Sequence, residues 1–160
     1  MGNIISIRPL IVIAFSAVLS ACASSPKMPT GPVGPFISPL DDMVITSNFG
    51  QRGRRPHYGI DLRADHGTPV AAVQVATVQF AGRQRGFGRL VILNHGQGVT
   101  TYYAHLSRIR VKEGQVIRQG ETIGFVGSSG NAKSAHLHFE VRDQGQPLDP
   151  LGMLATFKVK

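Results

Sequence analysis

Apolar and polar residues alternate strictly through Ala135-His136-Leu137-His138-Phe139-Glu140-Val141, which puts Leu137, Phe139 and Val141 on one side and His136, His138 and Glu140 on the other. A two-residue period belongs to a β-strand, whose successive side chains point to opposite faces. Shorter runs rich in β-branched and aromatic residues recur between glycine-rich turns. They predict strands near 44–48, 59–63, 69–73, 75–81, 89–94, 99–105, 116–118, 122–126 and 135–142. No helical period of apolar residues follows the N-terminal segment, so the pattern predicts a mainly β domain with almost no helix. A faint echo links Gly67-Thr68-Pro69-Val70-Ala71-Ala72-Val73 with Gly114-Gln115-Val116-Ile117-Arg118-Gln119-Gly120. It is consistent with two related β-layers but too short to be a repeat.

The N-terminus breaks this pattern. After Arg8 an apolar run extends from Leu10 to Leu19, too short to span a bilayer but suited to the core of a signal peptide. Leu19-Ser20-Ala21-Cys22 closes it and resembles a bacterial lipobox, which implies cleavage before Cys22 and lipid attachment to that residue. Ala23 and Ser24 then imply the outer membrane, facing the periplasm, in a Gram-negative host. Pro26, Pro29, Pro32 and Pro35 recur at every third residue, a period that suits an extended polyproline II segment. At ~3.1 Å per residue it would reach on the order of 50 Å, although a disordered spacer would have the same composition. The expected organisation is therefore a signal peptide over 1–21, lipidated Cys22 and a proline-rich linker over 22–38, and one domain over 39–160. About 120 residues suffice for a single core and are too few for two ordinary domains.

Candidate chemistry lies in the histidines, of which there are six. His136 and His138 leave one face of a strand about 6.5–7 Å apart, suited to one metal ligand beside one catalytic group. A solvent-facing strand would give the same pattern. His57 and Asp61 in His57-Tyr58-Gly59-Ile60-Asp61 would stand roughly 13 Å apart in an extended chain, whereas two zinc ligands lie about 3.3 Å apart. The chain must bend between them, and Gly59 is the natural place. His105 ends a β-rich run. His95, in Asn94-His95-Gly96, and His66, in Asp65-His66-Gly67, have turn composition and read as structural or exposed. The single cysteine, Cys22, leaves no intramolecular disulfide and no thiolate for the metal.

His57-Tyr-Gly-Ile-Asp61, Gly67-Thr-Pro-Val70, Tyr103-Ala-His105-Leu-Ser107, Gly114-Gln-Val116 and His136-Leu-His-Phe-Glu-Val141 together resemble the lysostaphin-like, LytM-type zinc metallopeptidases that cut peptidoglycan cross-links. The resemblance covers roughly 38–150 in unbroken order. It implies a single domain of antiparallel sheets built on a duplicated motif, and one Zn2+ per chain held by His57, Asp61 and His138. It further implies His105 and His136 as catalytic residues and peptidoglycan stem peptides as substrate. The family also includes degenerate lipoproteins that activate cell-wall amidases, so a non-catalytic activator with an amidase partner is the alternative. Those usually lose metal ligands, and this chain keeps all of them. Lys133-Ser134-Ala135 departs from the Gly-Pro often found before the His-x-His. Asn48 is a candidate inhibitory ligand by analogy with self-blocked relatives.

Residue chemistry agrees with the borrowed assignment. Two imidazoles and a carboxylate leave a fourth zinc position open, as catalytic sites do. Glu140 reads as a solvated charge on the strand, since the helical zinc-protease signature that would make it a base is absent. Gly127 to Ser134 reads as a cleft wall, not a phosphate loop, because Ala132 stands where glycine should precede the lysine. Seventeen Lys and Arg against nine Asp and Glu give a net charge of +8, which favours anionic partners. Secretion and few aromatics exclude nucleic acid. Arg52, Arg54 and Arg55, just before His57, are the candidates for steering an acidic peptide into a cleft.

Overall fold

The computed structural model describes residues 35–52 and 55–154. In chain order its strands are β1 Val44–Ser47, β2 Gly50–Arg52, β3 Arg55–His57, β4 Ile60–Arg63, β5 Pro69–Ala71, β6 Ala76–Gln84, β7 Gly88–Gly96, β8 Val99–Leu106, β9 Arg108–Ile109, β10 Val116–Ile117, β11 Thr122–Phe125, β12 Leu137–Asp143 and β13 Gln146–Leu148. All nine expected strands are present, the residues around each turn differing by a few. Four short strands were not expected: β2, β3, β9 and β13. Arg52, Arg55 and Pro56 carry no apolar alternation, so the β2–β3 hairpin leaves no periodic signal. Among the described residues the helical content is one 3-10 turn, Pro150–Gly152, whose start is capped by Asp149 accepting from Leu151 N at 3.0 Å.

An eight-stranded sheet runs β1-β4-β12-β8-β7-β6-β10, with β13 also on β12; β5-β11-β9 and β2-β3 form smaller sheets. Every strand pairing is antiparallel. One edge of β12 carries β8 along most of its length, while the other is shared by β4 at Leu137–Phe139 and β13 at Val141–Asp143. Phe36 and Leu154, near the two ends of the described chain, meet in a parallel bridge.

The main core gathers Ile60, Leu62, Val91, Leu93, Tyr103, Phe139 and Val141 on one face of the large sheet. A smaller cluster of Leu90, Ile92 and Ala104, packed by Phe80, Phe87 and Tyr102, covers part of the opposite face. Residues of both parities along β7 are thereby buried, which explains the unbroken run Leu90-Val91-Ile92-Leu93. The two echoing segments begin with equivalent turns: Thr68 N donates to Asp65 O and Gln115 N to Lys112 O, both at 3.1 Å. Among the described residues no helix is long and apolar enough to cross a membrane. The expected signal peptide, Cys22 and nearly all of the linker lie outside the described residues.

Candidate metal centre

Asp61 on β4 and His138 on β12 are direct cross-strand partners, which projects both side chains from the same face of the sheet. His57, at the end of β3, reaches them through the two-residue link Tyr58-Gly59. Gly59 is indispensable there for closeness: a Cβ at this position would stand 2.3 Å from the Phe139 carbonyl oxygen on β12. The expected bend is present, and glycine is required by the tight approach of the two backbones.

Three ligand atoms converge. His57 Nε2 lies 3.1 Å from Asp61 Oδ1, His138 Nδ1 lies 2.9 Å from the same oxygen, and the two nitrogens are 3.2 Å apart. Tetrahedral zinc with bonds near 2.0–2.1 Å separates its ligands by about 3.3 Å, so the triangle has the size of a zinc site. The proton positions point the same way. His57 Nδ1 faces the Asn48 carbonyl at 2.7 Å, which requires a proton on Nδ1 and leaves a lone pair on Nε2. His138 Nε2 faces Glu140 Oε1 at 2.8 Å, which puts its proton there and leaves a lone pair on Nδ1. Two imidazole lone pairs and a carboxylate oxygen then share one point, an arrangement that calls for a cation. Burial opposes a charge on His138, but hydrogen bonds and attraction from Asp61 and Glu140 outweigh it and raise its pKa above the ordinary histidine value. Electrostatically, the site seeks positive charge.

Glu140 corrects an expectation. It is only 1% exposed and is held by Arg142, whose Nη2 is 2.6 Å and Nε 2.8 Å from Oε2. Arg142 in turn lies 4.3 Å over the Tyr102 ring. The polar side of β12 does not face water, because Phe87 and Tyr102 cover it. A carboxylate hydrogen-bonded to the far nitrogen of a metal-binding histidine fixes that ring's tautomer and orientation. Its same-face position two residues after His138 was the available signal.

His105 and His136 join the centre from one side. Their rings stand 4.8 Å apart, and His105 is 5.8 Å from His138. His105 Nδ1 donates to Ser129 O at 2.8 Å and His136 Nδ1 to Ser134 O at 2.9 Å, so both rings are held by carbonyls of the β11–β12 loop. His136 Nε2 is 3.8 Å from Asp61 Oδ1. His105 has a left-handed backbone, φ 61°, a costly conformation for a non-glycine residue of the kind that clusters at functional sites. Burial lowers its pKa, with the neighbouring His136 and His138 adding to the shift and the Ser129 carbonyl and Asp61 opposing it.

All five histidine and aspartate candidates line one cavity of about 540 Å3, together with Arg85, Gly86, Phe87 and residues Asn131 to Ser134. The loop expected as a cleft wall does line it. Arg55 is exposed outside this lining, and the Arg52 side chain and Arg54 lie outside the described residues. The cavity's cations are Arg85 and Lys133, which sequence reasoning did not single out. Asn48 contributes its backbone carbonyl to His57 Nδ1. His66 is exposed in its turn. His95 is instead buried in β7, with Nδ1 on Val75 O at 3.1 Å and Nε2 on Thr101 Oγ1 at 2.8 Å. Burial lowers its pKa to about 4, against the Val75 hydrogen bond.

The model of Peptidase family M23 matches residues 55–150, in keeping with the lysostaphin-like resemblance. The DD-carboxypeptidase/endopeptidase Mpg of Neisseria meningitidis is 46% identical over 123 residues, covering 73% of this chain and 28% of that protein. The murein hydrolase activator NlpD of Salmonella dublin is 34% identical over 126 residues, covering 78% of this chain and 33% of that one. A zinc-containing peptidase from Vibrio cholerae matches with a TM-score of 0.70 at 30% identity, covering 77% of this chain and 40% of that one. The chain thus spans roughly a third or less of the length of these two curated relatives.

Proposed function

Because the chain belongs to peptidase family M23, we propose that it is a zinc-dependent endopeptidase that hydrolyses amide bonds in peptidoglycan cross-link peptides. The observation that carries this reading is the convergence of His57 Nε2, Asp61 Oδ1 and His138 Nδ1 within 3.2 Å of one another, with both nitrogens turned to present lone pairs. Zinc held by these three residues would polarise an amide carbonyl and lower the pKa of water to about 7.

The chain's own groups do the rest. His105, whose pKa burial lowers and whose ring Ser129 O orients, takes a proton from the attacking water at Nε2 and returns it to the amine that leaves as the C–N bond breaks. His136, with Nδ1 fixed on Ser134 O, presents Nε2 toward the metal ligands. From there a hydrogen bond would steady the oxyanion that develops on the carbonyl. Phe87, whose ring is 5.9 Å from that of His138, forms an apolar wall that limits water. No serine or cysteine nucleophile is required.

A lipid anchor on Cys22 would place this chemistry in the cell envelope, at the outer membrane facing the periplasm, within reach of peptidoglycan. The likeness to an activator supports a second reading, in which the same cleft docks a cell-wall amidase. Digestion of purified peptidoglycan by the zinc-loaded protein, beside its His138→Ala variant and a chelator control, separates the two when muropeptides are weighed by mass spectrometry. Loss of cross-linked dimers only with the intact, metal-loaded protein is the expected result. An unchanged profile from protein shown to contain zinc would overturn the endopeptidase reading in favour of activation.

A further inference from the structure

Two cations, Arg85 and Lys133, line the same cavity as the metal ligands, and the only carboxylate in that lining is Asp61. Arg85 lies in the three-residue turn between β6 and β7, and Lys133 lies in the β11–β12 loop. Neither has an ion-pair or hydrogen-bond partner among the described residues, and both are exposed. Their two loops are nevertheless fastened together. Asn131 N donates to Gly86 O at 2.9 Å, Arg89 N to Ser129 Oγ at 2.8 Å, and His105 N to Phe87 O at 2.9 Å. A Cβ on Gly130 would stand 2.4 Å from Gly88 N, so the backbones touch. The contacts that set His105 therefore also set the backbone positions from which the two cations reach the cavity rim.

We infer that Arg85 and Lys133 form a carboxylate-binding subsite, and that the enzyme selects amides whose following residue bears a free α-carboxylate. This rests on the reading of the centre as an amide hydrolase. A cavity of about 540 Å3 lies in the usual size range for a site holding a small ligand, so a group held at its rim belongs to a residue adjoining the reacting amide. The residue on the acyl side has its α-carboxyl tied up in the amide being cut. An α-carboxylate next to the reaction is therefore that of the residue supplying the leaving amine. Guanidinium and ammonium donors form charge-assisted hydrogen bonds with such a group.

Two peptides test this, identical except that the residue following the scissile amide ends in a carboxylate or in a carboxamide. Hydrolysis is measured with the zinc-loaded full-length protein, and binding is measured with labelled versions in which an uncleavable link replaces the scissile amide. The wild type should prefer the carboxylate by about tenfold in both kcat/KM and Kd, as expected for about 1.4 kcal/mol. In Arg85→Ala/Lys133→Ala the preference should fall below about twofold. Raising ionic strength should shrink the wild-type preference alone. Both side chains are exposed, so the melting temperature should not move and a folding defect would be visible. No preference in the wild type, or one that survives the double substitution, overturns the subsite. A preference in binding that depends on the two cations, with neither peptide hydrolysed, leaves the subsite standing and overturns the hydrolase reading.

Discussion

Glu140 carries more of this site than its place on a surface-like pattern suggested. It accepts a hydrogen bond from His138 Nε2 on one oxygen and from Arg142 on the other, so it links a candidate metal ligand to a half-buried cation. Glu140→Gln keeps the shape and one acceptor but removes the charge, and zinc affinity should fall about 10–100-fold, as for other outer partners of a ligating histidine. Glu140→Ala also strands Arg142, and should lower stability by about 3 kcal/mol. Competition with a chelator and thermal unfolding read the two effects separately. Among the direct participants the expected outcomes divide. Alanine at His57, Asp61 or His138 should abolish zinc binding, whereas alanine at His105 or His136 should retain zinc and lose hydrolysis. Normal hydrolysis by His136→Ala would remove that residue from the mechanism.

At the scale of elements, two glycine contacts separate building the His57–Asp61–His138 triangle from placing His105 and His136. Gly59 lets β4 lie against β12, and Gly59→Ala should force the strands apart and lower stability by at least about 1–3 kcal/mol, weakening zinc binding with it. Gly130 lets the β11–β12 loop touch the β6–β7 turn. Gly130→Ala should leave zinc content intact and shift the loop carbonyls that hold His105 and His136, so that hydrolysis falls at least about tenfold. Metal analysis beside an activity assay distinguishes these outcomes. The nine principal strands were legible because each has an alternating or continuous apolar signature. The β2–β3 hairpin was not, since its arginines and Pro56 leave no apolar face to read. The placement of Glu140 was misread for a related reason: alternation tells which residues share a face, but what covers that face depends on Phe87 and Tyr102 arriving from the β6–β7 turn and from β8. The five candidate residues that the structure brings to one cavity, His57, Asp61, His105, His136 and His138, were legible through their motifs, while Arg85 and Lys133 line it only because two distant loops are clasped together.

For the whole molecule, acid stability should carry the mark of His95. Its buried ring has a pKa near 4 against an ordinary 6.5, so below pH 6.5 the unfolded chain takes up a proton that the folded one refuses. Stability from this group is fully present above about 6.5 and is lost as pH falls toward 4. The full swing is up to about 3 kcal/mol. Denaturant titrations across that window should show a shallower decline in His95→Gln than in the wild type, and parallel curves would exclude His95 as the source. The turn composition around His95 concealed this role, because the turn itself begins two residues later and leaves the histidine as the last buried position of β7.

The parallel bridge between Phe36 and Leu154 bears on how such a unit can be used. Entry and exit lie side by side, with both side chains buried, so a chain can run in, complete the domain and leave again without spanning its diameter. A unit with neighbouring doors is a cassette: it can be slotted into a longer polypeptide with little strain on either flank. Matched regions that make up only 28% and 33% of two relatives are what a portable cassette would leave behind.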